Sequence, residues 1–253
     1  MNFNTFKGYL RIVLGIERDN AFAFRLVSKL VDKLLPSYRL TWPELKWFQD
    51  VRLVSVLSQF EESEGFNAHR RYALQQLIRL TDEVDGDTAE CGVYKGCGSY
   101  IVLQSNINSA RQRIHHIFDS FDGLSEPNDL DGKHWQTNDL SIIEDEVRNN
   151  LIEFSNAKFY KGWIPKRFSE IEHKKFSFVH VDVDLYQPTL DSIIFFYDRL
   201  SVGGIFVCDD YGFLTCPGAT RAIQEYLSSK PEKMIGLSGG GGFFIKGCGT
   251  SAE

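Results

Sequence analysis

Two apolar runs in this chain break off in acid. FVHVDVDLY spans residues 178–186 and GIFVCDDY spans 204–211. If they are neighbouring parallel strands, about 4.8 Å apart, Asp182, Asp209 and Asp210 meet at one edge of a sheet. Carboxylates crowded in this way repel one another, and some take up protons unless a cation sits among them. An oxygen-only cluster suits a hard divalent ion, and Mg²⁺ is the ion it implies. Asp184 rivals Asp182 as a ligand, because alternation puts both on one side of a strand. His180 shares that side and reads as a core histidine rather than a catalyst.

A second constellation lies upstream, where ECGVYKGCGS covers residues 90–99. Glycines at a strand-to-helix turn let backbone approach a ligand and admit positive φ. The spacing is GxxxGxG, neither the GxGxxG of a dinucleotide site nor a P-loop. That weakens a nicotinamide dehydrogenase. Glu90 ahead of the glycines suits a cationic or hydroxyl-bearing ligand better than a pyrophosphate. Asp119, in FDSFDG at 118–123, lies about twenty residues farther on, where an acid can accept both hydroxyls of a ribose. Its alternative is a turn cap. With the glycine turn, it points to a nucleoside site. GWIP at 162–165 is a turn carrying an aromatic that lines a pocket or packs under a loop.

These residues need a frame to bring them together. Apolar stripes at helical spacing alternate with short apolar runs from about residue 66 onward. Ala73, Leu74, Leu77, Ile78 and Thr81 mark one helix, and Leu140, Ile143, Val147 and Leu151 another. Strands are expected at 88–92, 114–119, 157–160, 176–182 and 205–208. Pro217 opens a late helix, and runs at 234–237 and 243–245 flank four glycines as a closing hairpin. The pattern predicts an α/β protein with a doubly wound, seven-stranded, mostly parallel sheet. Residues 1–65 look helical but irregular and are expected to form a separate cap or lid; residues 66–253 are expected to form the α/β domain.

Composition narrows the classes further. The 253 residues are 43% hydrophobic and 25% charged with net charge −6, an ordinary balance whose acidity disfavours nucleic acid as partner. No apolar run reaches the roughly 18 residues of a membrane span, and the start has no signal-peptide layout. Five cysteines, odd in number and without metal spacing, fit a reducing cytoplasm.

The pieces ECGVYKGCGS, FDSFDGL, GWIP, HVDVDLYQPTLDS, LSVGGIFVCDDYG and PGATRAI, in this order, make the chain resemble the macrocin O-methyltransferase family of metal-dependent class I methyltransferases. The resemblance covers residues 66 to about 248. It implies that Glu90, Gly92 and Gly96, with Ser99 and Ser120 beside them, frame an S-adenosylmethionine site and that Asp119 holds its ribose. It implies Mg²⁺ on Asp182, Asp209 and Asp210, with Asp182 also taking the proton from a small-molecule acceptor such as a sugar hydroxyl. The family's GWFPET loop reads Gly162-Trp163-Ile164-Pro165-Lys166-Arg167 here, which adds two positive charges near the expected pocket. Residues 1–65 match none of these pieces and are a candidate contact for a homodimer or higher homo-oligomer. Two other functions fit the residues less fully: a Mg²⁺-dependent phosphate-ester hydrolase and a non-catalytic nucleoside-binding module.

Overall fold

The run at 176–181 is apolar on both faces, the pattern of a parallel strand covered by helices above and below. In a computed structural model, described for residues 3–15, 20–63 and 65–249, this run lies at the middle of the sheet. Strands β1 (Asp87–Cys91), β2 (His115–Asp119), β3 (Ala157–Lys161), β4 (Phe176–Val181) and β5 (Leu200–Cys208) are joined by helical crossovers. β6 (Ile235–Gly236) and β7 (Gly242–Ile245) close one edge as an antiparallel pair. The order is β3-β2-β1-β4-β5-β7-β6. All ladders among β1 to β5 are parallel, and β7 runs against β5. The doubly wound, seven-stranded sheet expected from the sequence is therefore present.

Eight helices of the described residues accompany it: α1 (Phe3–Val13), α2 (Asn20–Leu34), α3 (Val51–Gln59), α4 (Gly65–Ile78), α5 (Cys97–Asn108), α6 (Glu144–Asn150), α7 (Tyr186–Tyr197) and α8 (Pro217–Leu227). Pro217 stands in the first turn of α8, where its missing N–H costs nothing. The helix expected to begin near Leu140 is shorter, because Asn138 (φ +69°) and Leu140 (φ +61°) break the backbone first. None of these helices is long and apolar enough to cross a membrane.

The chain divides into two compact units, Met1–Val51 and Arg52–Glu253. The division does not fall near residue 65; most of α3 goes with the second unit, and its Leu53 and Leu57 are buried. In the first unit the Tyr9 hydroxyl of α1 donates to the Leu26 carbonyl of α2 at 2.8 Å. Phe24 of α2 meets Trp42 edge-on with ring centroids 5.3 Å apart.

In the second unit aromatic rings fill the space between the sheet and α7. Phe196, fully buried, meets Phe176 at 5.0 Å and Phe168 at 5.3 Å, both edge-on. Edge-to-face rings add to the burial of their large apolar area. Phe196→Ala leaves a hole that rigid strands cannot collapse into, and should cost about 3–5 kcal/mol in a urea melt.

The opposite end of the sheet is pinned by Asp87. Its carboxylate accepts from the Ile114 N–H at 3.0 Å and from Lys174 Nζ at 3.1 Å, and faces His116 Nε2 at 3.1 Å. Burial alone would raise its pKa, but these partners hold it at about 2. A carboxyl depressed in the folded state contributes stability that is whole above its unfolded value, near 4, and is lost as pH falls through 2. Urea melts of wild type and Asp87→Asn should therefore differ by about 1–2 kcal/mol at pH 5 and converge toward pH 2.

Candidate active site

Order in the sheet fixes where the acidic residues emerge. Val181 pairs with Cys208 across β4 and β5. The Asp182 N–H donates to the Cys91 carbonyl and the Asp209 N–H to the Val181 carbonyl, each at 2.8 Å. Both aspartates thus stand one step beyond the last rungs of the ladder. The chain also leaves β1 toward β2 and returns on the other side at β4, which opens a crevice at the carboxyl ends of β1 and β4. A cavity of about 880 Å³ occupies this edge, walled in part by Gly92, Asp119, Ser120, Asp182, Asp184 and Asp210.

On one side β1 turns at Gly92, with φ +79°. A Cβ there would strike the Asp182 carbonyl oxygen and come within 3.2 Å of Val183 Cγ1, so only glycine lets the ends of β1 and β4 lie together. Asp119 fastens this turn to β2 by accepting the N–H groups of Val93 and Phe121, both at 2.7 Å. Burial pushes its carboxyl above the usual range in spite of these bonds. The Ser120 hydroxyl donates to the Gly123 carbonyl at 3.0 Å.

Three residues expected beside a cofactor are not among those that wall the cavity. Glu90 and Ser99 are buried and bonded to each other, and Glu90 also faces His180 Nδ1 at 2.7 Å. Neither borders the cavity, because β1 is covered on both faces and Glu90 points to the helix side. Gly96, at φ +99°, forms the start of α5 and backs onto Val147 and Leu151. The charges of Lys166 and Arg167 also miss the cavity: Lys166 is exposed, and Arg167 pairs with Glu170 and donates to the Lys161 carbonyl at 2.8 Å. Trp163 of the same loop does line the wall.

The carboxylates divide into two groups. Among the described residues, possible ligand atoms lie within 4.8 Å of one another in His180, Asp182 and Asp209, and again in Asp184, Asp210 and Cys216. The expected trio spans both groups, with Asp182 and Asp209 in the first and Asp210 in the second. Asp210 accepts from the N–H groups of Val183 at 3.1 Å and Asp184 at 2.8 Å. Asp184 holds φ +61° and receives the Cys216 thiol at 3.5 Å. Asp209 turns instead to α4. Its Oδ2 pairs with Arg70 and lies 3.2 Å from Arg71 Nη1. Arg71 reaches Asp182 at 3.3 Å and Glu62 at 2.6 Å.

Arg70 and Arg71 are cavity-wall residues that no motif in the sequence marked. Arg71, Leu74 and Ile78 are all buried and share one face of α4 at helical spacing, so an arginine on an apolar stripe was the available signal. Asp131 is a second omission. It accepts the Tyr186 N–H at 2.6 Å and the Asn128 N–H at 2.8 Å, tying the loop that carries His134 and Trp135 to α7; both side chains line the cavity.

Charge decides what the cluster can hold. Burial and the charge of Asp209 push the Asp182 carboxyl up to about 7, and burial, then Asp184 and Asp182, push Asp210 upward as well. Asp209 would also be raised by burial, but Arg71, Arg70 and His180 hold it well below the usual range. Asp182, Asp184, Asp209, Asp210 and Glu62 outnumber Arg70, Arg71 and His180. The donors facing the cavity from Asp182 and Asp210 are oxygens, and with these carboxyls ionised, the state a bound cation favours, the surplus is negative. This set fits a hard divalent cation.

Residues 67–235, about two thirds of the chain, match the macrocin-O-methyltransferase (TylF) family. The chain belongs to that family. Membership favours methyl transfer over the hydrolase and the binding module. The demethyldecarbamoylnovobiocin O-methyltransferase of Streptomyces niveus is 28% identical over 63% of this chain and 68% of its own length. The 8-demethyl-8-(2,3-dimethoxy-alpha-L-rhamnosyl)-tetracenomycin-C 4'-O-methyltransferase of Streptomyces olivaceus is 28% identical over 63% and 66%. The chain thus spans about two thirds of the length of these relatives. The crystal structure of the calicheamicin methyltransferase CalS11 shares the fold, with a TM-score of 0.66 at 19% identity over 84% of this chain and 96% of that one.

Within this family fold Arg71 is a buried cation held by three acidic groups. Removing it leaves Glu62 buried without its guanidinium partner and Asp209 with Arg70 and His180 only, so Arg71→Ala should destabilise the protein by about 3–5 kcal/mol in denaturant melts at pH 7.

Proposed function

We propose that the chain transfers the methyl group of S-adenosylmethionine to a hydroxyl of a sugar or another small natural product, with Mg²⁺ held by Asp182, Asp209 and Asp210. The observation that carries this reading is that a glycine turn, a strand-end aspartate and an acidic cluster open on one cavity in a member of an O-methyltransferase family. One relative is named for a rhamnosyl-bearing acceptor, which supports a carbohydrate acceptor here.

When bound, the donor supplies an electrophilic methyl carbon on a positively charged sulfur, and the ion lowers the pKa of the acceptor hydroxyl. The chain does the rest. The turn at Gly92 lets backbone approach the donor, and Asp119 accepts the ribose hydroxyls with the oxygen lone pairs that Val93 and Phe121 leave free. Ser120 lies beside it on the wall. Asp182 opens on the cavity and, in this reading, accepts the proton of the acceptor hydroxyl. Trp135, Trp163 and Phe213 offer flat apolar faces for a sugar ring and keep water from the reacting atoms. Orientation in a dry site is the main contribution the protein can make to this transfer. Five unpaired cysteines, four of them buried, suit a reducing compartment, and we place the enzyme in the cytoplasm.

Transfer of labelled methyl to a panel of sugars and glycosides, with the donor product quantified, tests the reading. Asp209→Ala should lose turnover by at least about 100-fold while equilibrium dialysis still shows S-adenosylmethionine bound. Asp119→Ala should instead weaken donor binding by about tenfold or more. Full activity of Asp209→Ala in EDTA would refute the metal reading.

A further inference from the structure

One buried side chain between the glycine turn and the acidic cluster has no part in the chemistry above. His180 is the next-to-last residue of β4, paired with Glu90 of β1 on one side and Val207 of β5 on the other. It has no exposure to solvent. Its Nδ1 lies 2.7 Å from Glu90 Oε1, and the other Glu90 oxygen takes the Ser99 hydroxyl of α5. Its Nε2 is buried without a hydrogen-bond partner and lies 3.5 Å from Asp209 Oδ1.

The ring cannot turn away. A Cβ on Gly98 would collide with Glu90 Oε1 and stand 3.2 Å from two atoms of the imidazole, so α5 packs directly on this pair. Glycine is therefore required at 98 for packing on Glu90 and His180 rather than for approach to a ligand. Asp209 meanwhile gives Oδ2 to Arg70 and Arg71 and keeps Oδ1 toward His180. An imidazole lying between two carboxylates carries an N–H on both nitrogens, and the Nε2 group faces Asp209 Oδ1 at 3.5 Å as a charge rather than through a hydrogen bond. Without that second donor, Asp209 is free to swing both oxygens onto the arginines, because two-oxygen pairing with guanidinium is the stronger arrangement.

We propose that His180 is a positioning residue that, held by Glu90, aims Asp209 Oδ1 and keeps the carboxylate from closing fully on Arg70 and Arg71, so that it remains available to a divalent ion. This rests on the metal reading under Proposed function. It adds a link through which the start of α5, next to the donor turn, sets the metal side of the site. Partners behind a ligating carboxylate commonly change metal affinity by about 10–100-fold.

The test uses Mn²⁺ as the probe on the full chain, with binding followed by electron paramagnetic resonance in the absence of donor and acceptor. Asparagine places a donor where Nδ1 stands, and glutamine places one where Nε2 stands. His180→Asn should therefore bind Mn²⁺ about tenfold or more weakly, whereas His180→Gln should stay within about threefold of wild type. Wild-type affinity in His180→Asn, or equal weakening in both variants, would overturn the proposal, since either result confines the role to Glu90 or to packing. If neither variant folds by thermal melt, Glu90→Gln should weaken Mn²⁺ binding by a few-fold, and no change there overturns the proposal too. A wild-type chain that binds no Mn²⁺ removes the metal reading itself, an outcome distinct from the others.

Discussion

Excess buried negative charge at the ends of β4 and β5 is the constraint on which the rest of the second unit depends. Asp182, Asp184, Asp209 and Asp210 occur within two short segments that the parallel ladder sets side by side. Concentrating carboxylates where water is scarce is costly unless each finds a donor or a cation. The fold meets this cost from several directions. Backbone N–H groups serve Asp210, the Cys216 thiol serves Asp184, and two arginines and a histidine face Asp209. The balance stays negative, which leaves the cavity side of the cluster receptive to a cation.

The surrounding structure can be understood as support for that edge. α4 brings Arg70 and Arg71, and Glu62 before it holds Arg71 from the far side. α5 presses Glu90 and His180 together from behind the sheet. Asp119 and Gly92 join β1, β2 and β4 at their ends, so the glycine turn and the acidic cluster cannot move independently. Asp131 anchors the loop carrying Trp135, which makes one cavity wall replaceable without disturbing the charged edge. Such a division suits a family in which acceptors vary while the transferred group does not.

Polar groups beneath the sheet edge show why a residue's type does not reveal its direction. Glu90 stands at the end of β1 as a cofactor ligand would, yet its carboxylate faces Ser99 and His180. Lys166 and Arg167 follow a turn whose Trp163 does reach the cavity, but the arginine is drawn to Glu170. A one-residue difference in direction separates a ligand from a structural partner. The spacing of the motif is the same in both cases.

The sequence by itself determined the alternation of strands and helices, the seven-stranded sheet and the edge at which acid and glycine gather. Each of these follows from local periodicity, turn residues and the right-handed crossover of parallel strands. The position of Asp119, Gly92, Asp182 and Asp210 at the cavity was legible because they end or follow strands, and strand ends face the crevice of an open sheet. Only the tertiary structure decided that Asp209 and Asp210 part company and that Arg70 and Arg71 arrive from a helix more than a hundred residues away. It also decided that Glu90 looks inward. These outcomes depend on which charges meet after distant segments pack, and long-range pairing leaves no trace in local spacing.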